Sequence, residues 1–145
     1  MIITKKVLRN VSLTAHPIGC RRYVEDQIAW VQKHAHDASN PAYPAADNLS
    51  LPKRVLVLGG STGYGLSSRI FAAFAAKAAT INVSFEREPT ENKTATPGWY
   101  NTMAFEKKAT EAGLKAFSVF GDAFSNEVKE KTADLIAKEL GQVDL

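Results

Sequence analysis

The sequence predicts an α/β fold of the Rossmann type, a doubly wound parallel sheet with helices on both faces. Three short apolar or β-branched runs, at 54–58, 80–86 and 115–120, each precede a stretch with helical periodicity. A glycine-rich turn follows the first run directly, which is typical of a strand–loop–helix unit that binds a phosphate group. Alternating strands and helices of this kind form parallel sheets with right-handed crossovers.

The length and composition are those of an ordinary globular domain. The chain has 145 residues, of which 45% are hydrophobic and 23% charged, and this is enough to bury a core. The formal net charge of +3 is carried by separated basic doublets, so we expect no nucleic-acid binding. No apolar run approaches the roughly 20 residues that span a bilayer, and the single cysteine excludes an internal disulfide. We therefore expect a cytoplasmic protein without membrane insertion.

Two regions are predicted along the chain. Residues 1–52 hold a strand or hairpin, then a helix whose apolar stripe includes Val24 and Ile28, and then a proline-containing surface loop over 35–52. Residues 53–145 form the first half of a Rossmann-type nucleotide-binding domain. This second region begins with the first strand of the parallel sheet.

The helices of the second region are predicted at about 65–77, 100–112 and 126–140, and Ser125 is a suitable N-cap for the last one. Residues 141–145 resemble the opening of a fourth strand. Because a three-stranded half of a doubly wound sheet would leave apolar surface exposed, we expect the chain to be a fragment of a longer enzyme, truncated in that strand.

The glycine-rich turn has the pattern G-x-x-x-G-x-G, with glycines at 59, 63 and 65. We expect Gly59 to let the chain leave the strand in a tight turn, and Gly63 and Gly65 to remove Cβ atoms that would block a pyrophosphate. The N-terminus of the following helix then offers N–H groups and a positive dipole end to the phosphates. The stretch therefore predicts dinucleotide binding.

Glu86 closes the second strand, about 20 residues after the glycine turn. An acid at this place accepts both hydrogen bonds from an adenosine ribose diol and repels a 2′-phosphate, so NAD is favoured over NADP. The neighbouring Arg87 keeps NADP open, because a basic side chain there can pair with that phosphate. A solvated acid at the end of a strand is the alternative interpretation.

Asp122 and Ala123 follow the third strand, at the sheet edge where ligands of such folds bind. An aspartate there can accept a hydrogen bond from the adenine amino group. The turn chemistry of the Gly121–Asp122 pair explains the same residues equally well.

No catalytic or metal-binding constellation is predicted in residues 1–145. His16 and Cys20 have a spacing that allows metal contact, but two ligands are too few for a zinc site. Tyr64 lies in the phosphate turn, on the wrong side to donate a proton near a nicotinamide. We therefore expect no catalytic residue and no metal here.

Several segments, taken in order, resemble the N-terminal part of the trans-2-enoyl-CoA reductases, the FabV-type enoyl-ACP reductases. These are large relatives of the short-chain dehydrogenase/reductases. The segments cover residues 14–20, 53–66, 97–101, 104–107, 121–125 and 141–145. The resemblance implies NADH binding by a set of ten residues. These residues are Gly59, Gly60, Ser61, Thr62, Gly63, Tyr64, Phe85, Glu86, Asp122 and Ala123.

The resemblance also implies an activity, the NADH-dependent reduction of the trans-2 double bond of enoyl-CoA or enoyl-ACP in fatty-acid synthesis. Hydride passes to C3 of the thioester and a tyrosine protonates the enolate. The family's catalytic Tyr and Lys lie further along, so we expect this chain alone to be inactive and the full-length protein to be a monomer. A non-catalytic redox-sensing module and another NAD(P)-dependent short-chain reductase are the alternatives.

Overall fold

The computed structural model describes residues 7–8, 11–12, 14–37, 39 and 50–145. The elements are β1 (Val7–Leu8), β2 (Val11–Ser12), α1 (Pro17–His34), β3 (Arg54–Leu58), α2 (Gly63–Phe74), β4 (Ala79–Ser84), α3 (Pro97–Glu111), β5 (Ala116–Phe120) and α4 (Asn126–Glu139). β1 and β2 pair in antiparallel fashion, as expected for a hairpin before the first helix. Most of the predicted loop over 35–52 lies outside the described residues.

The main sheet has the order β3–β4–β5, and its strands are parallel, which confirms the predicted α/β class. Leu56 of β3 is in register with Ile81 of β4, and Ile81 with Phe117 of β5. β4 is buried along nearly its whole length because a strand lies on each side of it and helices cover it. β5 is only half-buried, as expected for an edge strand.

Asp144 and Leu145 lie beside β3, on the edge opposite β4. Successive residues of a strand direct their backbone groups to opposite edges. Gly59 donates its N–H toward β4 at 2.8 Å, whereas Leu56 donates to the Leu145 carbonyl and Arg54 accepts from the Asp144 N–H, both also at 2.8 Å. The chain thus returns from β5 to the far side of β3, so the strand order reverses at β3. Parallel sheets of this class bind ligands at such a reversal.

The apolar core lies in a layer formed by α1, α2 and α3 on one face of the sheet. Its buried members are Val24, Ile28, Val31, Ala35, Leu66, Ile70, Ala73, Phe74, Ala75, Phe105 and Ala109. α4 contributes no residue to this cluster. Since α4 connects β5 to the far edge of β3, a right-handed crossover places it on the opposite face, which completes the double winding.

The sequence left the start of α1 open, and three predicted boundaries were wrong by a few residues. α1 begins at Pro17, where His16 caps it by accepting the Gly19 N–H on Nδ1 at 3.1 Å. α2 begins at 63 instead of 65, and α3 begins at Pro97 instead of 100. Proline suits the first turn of a helix because it has no N–H to leave unpaired. The second strand ends at 84, so Phe85 and Glu86 follow it instead of closing it.

Candidate cofactor-binding site

The glycine turn joins β3 to α2 through two left-handed backbone positions. Gly59 has φ +81° and Gly63 has φ +52°, both in the region that side chains disfavour. Thr62 takes the N-cap position of α2 in an extended conformation and makes no side-chain capping bond. The first turn of α2 therefore has backbone N–H groups without a side-chain cap, as a bound phosphate requires.

The structure gives a reason for Gly65 that the sequence did not indicate. A Cβ on Gly65 would overlap the carbonyl of Gly59 and lie 3.2 Å from Cα of Gly60. Gly65 therefore allows α2 to pack against the turn itself, and this contact accounts for a glycine there. Around Gly63 no described residue occupies the space of a Cβ, and the positive φ is the reason for glycine that the backbone shows.

Asn82 of β4 fixes the glycine turn through a buried hydrogen bond. Its side chain is fully buried, and its Oδ1 accepts the Gly60 N–H at 2.7 Å. A Cβ on Gly60 would lie 2.7 Å from that oxygen and 3.0 Å from Cγ1 of Val57, so glycine fits this position best. Sequence reasoning missed Asn82, although an amide in the middle of a β-branched run is a signal of a buried polar contact.

Glu86 lies directly beside the turn. The Ser61 hydroxyl, itself nearly buried, donates to Oε1 of Glu86 at 2.6 Å. The Ser61 carbonyl accepts a hydrogen bond from Asn101 of α3 at 3.1 Å. Glu86 also packs against Gly98, where a Cβ would overlap its carboxyl group. Four residues from three segments of the chain are thus joined at the carboxyl end of β4.

The segment that follows β5 lies at the same end of the sheet as Glu86. Gly121 donates its N–H to the Ser84 carbonyl at 3.0 Å, which places Asp122 and Ala123 next to the end of β4. Asp122 is exposed, and its Oδ1 accepts the Phe124 N–H at 2.9 Å. Turn chemistry was the alternative explanation for Asp122, and the structure shows such a turn. The same carboxylate also lies beyond the carboxyl ends of the strands, where ligands of such folds bind.

Large apolar side chains stand exposed at the same edge. Tyr64 is 95% exposed, Phe85 78% and Phe124 87%. Soluble proteins bury most aromatic surface, and exposed aromatic groups gathered at one edge are typical of a ligand surface. Sequence reasoning named Tyr64 and Phe85 but missed Phe124, which follows the predicted Asp122–Ala123 pair.

A buried cation lies against the sheet, on the side of α2. The Arg69 side chain of α2 has no exposed surface and donates to the Phe117 carbonyl at 2.8 Å and the Ser118 hydroxyl at 3.1 Å. Its guanidinium lies 3.6 Å from Glu106 and 4.3 Å from the centre of the Phe105 ring. Burial lowers the pKa of Arg69 to about 10, against the opposing effect of Glu106. The group stays positively charged at neutral pH.

The structure therefore places all ten predicted cofactor residues in the segments that follow the carboxyl ends of β3, β4 and β5. Among the described residues no cluster of three or more metal-ligating side chains occurs. In the same part of the chain no helix is long and apolar enough to cross a bilayer.

Fold and site together define a dinucleotide-binding α/β domain. Two family models match the chain: the NAD(P)H binding domain of trans-2-enoyl-CoA reductase over residues 2–91, and the trans-2-enoyl-CoA reductase catalytic region over 93–145. The chain belongs to the trans-2-enoyl-CoA reductase family. The resemblance found in its sequence segments is thereby confirmed.

Characterised relatives are similar over the whole chain but are much longer. An enoyl-[acyl-carrier-protein] reductase [NADH] of Flavobacterium johnsoniae is 52% identical, and a trans-2-enoyl-CoA reductase [NADH] of Ruminiclostridium cellulolyticum is 49% identical. Each match covers 100% of this chain and 34% of the relative. The chain thus spans about a third of the length of these relatives.

A solved structure matches the fold closely. The Treponema denticola trans-2-enoyl-CoA reductase in complex with NAD superposes with a TM-score of 0.87 at 45% identity. The match covers 97% of this chain and 34% of that chain. The agreement extends over the sheet, the glycine turn and the helices that surround them.

Proposed function

We propose that this chain is the NADH-binding part of a reductase that saturates the trans-2 double bond of enoyl thioesters. The observation that carries the proposal is the pairing of Glu86 with Ser61 of the glycine turn. It sets an acid beside the phosphate-binding turn, where a ribose diol is recognised in folds of this class. The activities for which the F. johnsoniae and R. cellulolyticum relatives are named support the same reaction.

Each part of the edge has a task in this proposal. The turn from Gly59 to Tyr64 and the N-terminus of α2 hold the pyrophosphate through backbone N–H groups. Glu86 accepts hydrogen bonds from the adenosine ribose, Phe85 gives an apolar wall, and Asp122 with Ala123 receives the adenine. NADH supplies a hydride for C3 of the thioester when bound. The residues of this chain bind and orient, and the proton donor is assigned to a later part of the longer protein.

The proposal extends to the setting of the reaction. We assign enoyl-CoA or enoyl-ACP as the substrate, fatty-acid synthesis as the process, the cytoplasm as the location and a monomer as the full-length state. We keep the division into a first region over 1–52 and a nucleotide-binding region over 53–145. α1 of the first region shares the apolar core with α2 and α3 of the second, so the two regions are expected to unfold together.

Cofactor binding is tested by the thermal shift of this chain with NADH and with NADPH at matched concentrations. NADH is expected to raise the melting temperature more, because the acid at 86 opposes a 2′-phosphate. Equal stabilisation by both cofactors would contradict the preference for NAD.

Two glycine variants distinguish a loss of cofactor binding from a general loss of stability. Gly63→Ala strains the phosphate turn, and Gly113→Ala strains the end of α3, since both glycines have positive φ and open space around a Cβ. Both variants are expected to lose stability, and only Gly63→Ala is expected to lose the NADH-induced shift. Retention of the shift by Gly63→Ala would place the pyrophosphate elsewhere.

The reaction is tested in a chimaera in which this chain replaces the first third of the F. johnsoniae reductase. We expect NADH consumption with an enoyl-CoA, and its loss in the Glu86→Ala chimaera. NADH binding by this chain, combined with an inactive but folded chimaera, would favour the non-catalytic sensing module.

A further inference from the structure

The carboxyl group of Glu86 contacts two residues through the same oxygen atom. Oε1 accepts the hydrogen bond from Ser61, whose side chain is nearly buried in the glycine turn. The same Oε1 lies next to Gly98 in the first turn of α3, at the place that a Cβ of residue 98 would take. A Cβ at position 98 would overlap the carboxyl group and lie 2.8 Å from Cβ of Ser61. Glu86 therefore contacts both the glycine turn and the first turn of α3.

Gly98 is required for space and not for backbone conformation. Its φ lies outside the left-handed region, in contrast to Gly59 and Gly63. In a helix a glycine without such a need lowers stability relative to alanine. The close contact with Glu86 and Ser61 is the feature of the structure that accounts for a glycine here.

The backbone that follows Glu86 is anchored to the same helix. Thr96, the N-cap residue of α3, accepts the Arg87 N–H on its hydroxyl at 3.1 Å and donates its own N–H to the Arg87 carbonyl at 3.1 Å. Because both its side chain and the next peptide unit are fixed, Glu86 has little freedom to swing outward. The positive dipole end of α3 also favours a negative charge at this place.

We propose that Ser61 and Gly98 are specificity-determining residues, which fix Glu86 and so set the discrimination against a 2′-phosphorylated cofactor. This inference rests on the proposed cofactor function and assigns its selectivity to two positioning residues. A mobile carboxylate would rotate away from a 2′-phosphate and be screened by water. A carboxylate that cannot rotate leaves the two negative charges opposed, and such a repulsive element discriminates strongly.

The test uses ADP-ribose and 2′-phospho-ADP-ribose as probes, because they carry the adenosine half that this chain is proposed to recognise. Isothermal titration gives the ratio of their dissociation constants for each variant. Ser61→Ala loses one hydrogen bond to a charged group, and the Cβ in Gly98→Ala displaces the carboxyl group. In both variants the preference for ADP-ribose is expected to fall about tenfold. Each variant still carries the acid, so a fall in the ratio reports its positioning.

Three controls keep the result interpretable. Gly19→Ala makes the same change in the first turn of α1, where a Cβ meets only ordinary contacts at 3.7 Å, and Ser68→Ala removes an exposed hydroxyl from α2. Both are expected to leave the ratio unchanged. Glu86→Gln is expected to lower the ratio at least as much as the two test variants.

The outcomes distinguish this inference from the proposed function. If wild-type protein binds neither probe, the cofactor function itself fails, and this inference fails with it. If wild-type protein prefers ADP-ribose but Ser61→Ala and Gly98→Ala keep its ratio, the positioning role is overturned while the cofactor function stands. An unchanged ratio in Glu86→Gln would equally overturn the inference, since the acid would then not discriminate.

Discussion

The two ends of β3 are fixed by hydrogen bonds to different acceptors, a buried neutral amide at one end and a surface carboxylate at the other. At the carboxyl end the Gly60 N–H donates to the amide oxygen of Asn82, a neutral group with no exposed surface. At the amino end the N–H groups of Lys53 and Arg54 donate to the carboxylate of Asp144 at 3.0 and 2.9 Å, and the Arg54 guanidinium adds an ion pair at 2.6 Å. One end uses a buried amide, and the other uses charges at the surface.

The difference shows what each end of the strand can tolerate. The carboxyl end carries the glycine turn that is proposed to bind phosphate, where a buried negative charge would oppose the ligand, and an amide fixes the turn without adding one. The amino end is not part of the proposed site, and there a carboxylate accepts the backbone N–H groups. We expect the buried bond to be insensitive to pH and salt and the surface bond to depend on both.

The largest effect is expected from Arg69, which donates hydrogen bonds to Thr80 of β4 and to Phe117 and Ser118 of β5. Arg69→Ala leaves Glu106 without its cation and removes the side-chain hydrogen bond to the Phe117 carbonyl, so unfolding by urea should show a loss of about 3–5 kcal/mol. Arg69→Met keeps most of the buried volume. When combined with Glu106→Leu it should recover much of that loss.

That double variant has a second readout. If it regains stability but binds ADP-ribose more weakly, the buried pair serves the geometry of the site more than the fold. A single variant Arg69→Ala as stable as wild type would contradict the role of this cation in the sheet.

A smaller loss is expected for Asn82→Ala. The Gly60 N–H would lose its partner in a buried position, which costs about 1–3 kcal/mol. The affinity for ADP-ribose should fall as well, because the turn loses its support from below. Denaturant unfolding and titration measure the two effects, and Asn92→Ala, a change at an exposed position, should alter neither.

The smallest effect is expected at the amino end, and it depends on pH. The Arg54 side chain, followed by the Lys53 N–H, lowers the pKa of Asp144 below the ordinary value of 3.8. Asp144 therefore contributes stability that is fully present above that ordinary value and is lost as the pH falls through the lowered value of the folded state.

The measurement is the difference in urea midpoint between wild type and Asp144→Asn, followed from neutral to acidic pH. The difference should vanish in acid and shrink with added salt. A constant difference over the whole pH range would show that Asp144 acts through packing. The same titration with Asn82→Ala should give a constant difference, and this would sharpen the contrast between the two ends.

The predicted fold and turn depended on signals that are local in sequence. The apolar run before Gly59, the glycine spacing and an acid about 20 residues later indicated where strand, turn and ribose acid belong. The helix starts at Pro17 and Pro97 were missed because their apolar stripes begin a turn or more later than the helices do. A proline at the first helical position was the available signal.

The support of the site could not be read from local patterns. Arg69 lies in a helix where a charged residue normally indicates the solvent face, and only the tertiary structure shows that it is buried against the sheet. The contacts among Ser61, Glu86 and Gly98 join three segments whose separations in sequence follow no motif. Such contacts depend on how the helices pack, and helix packing does not require a fixed spacing of residues in the sequence.

The bond between Asp144 and Arg54 also bears on the order of events in folding. It connects residues 90 positions apart, and closing a loop of that length costs on the order of 4 kcal/mol of chain entropy before any contact compensates. The β3–β4 pairing spans far fewer residues and is expected to form earlier. During synthesis one edge of β3 therefore stays unpaired until residue 144 has left the ribosome. A newly made chain passes through a stage with an open strand edge, at which pairing with another nascent chain competes with correct folding.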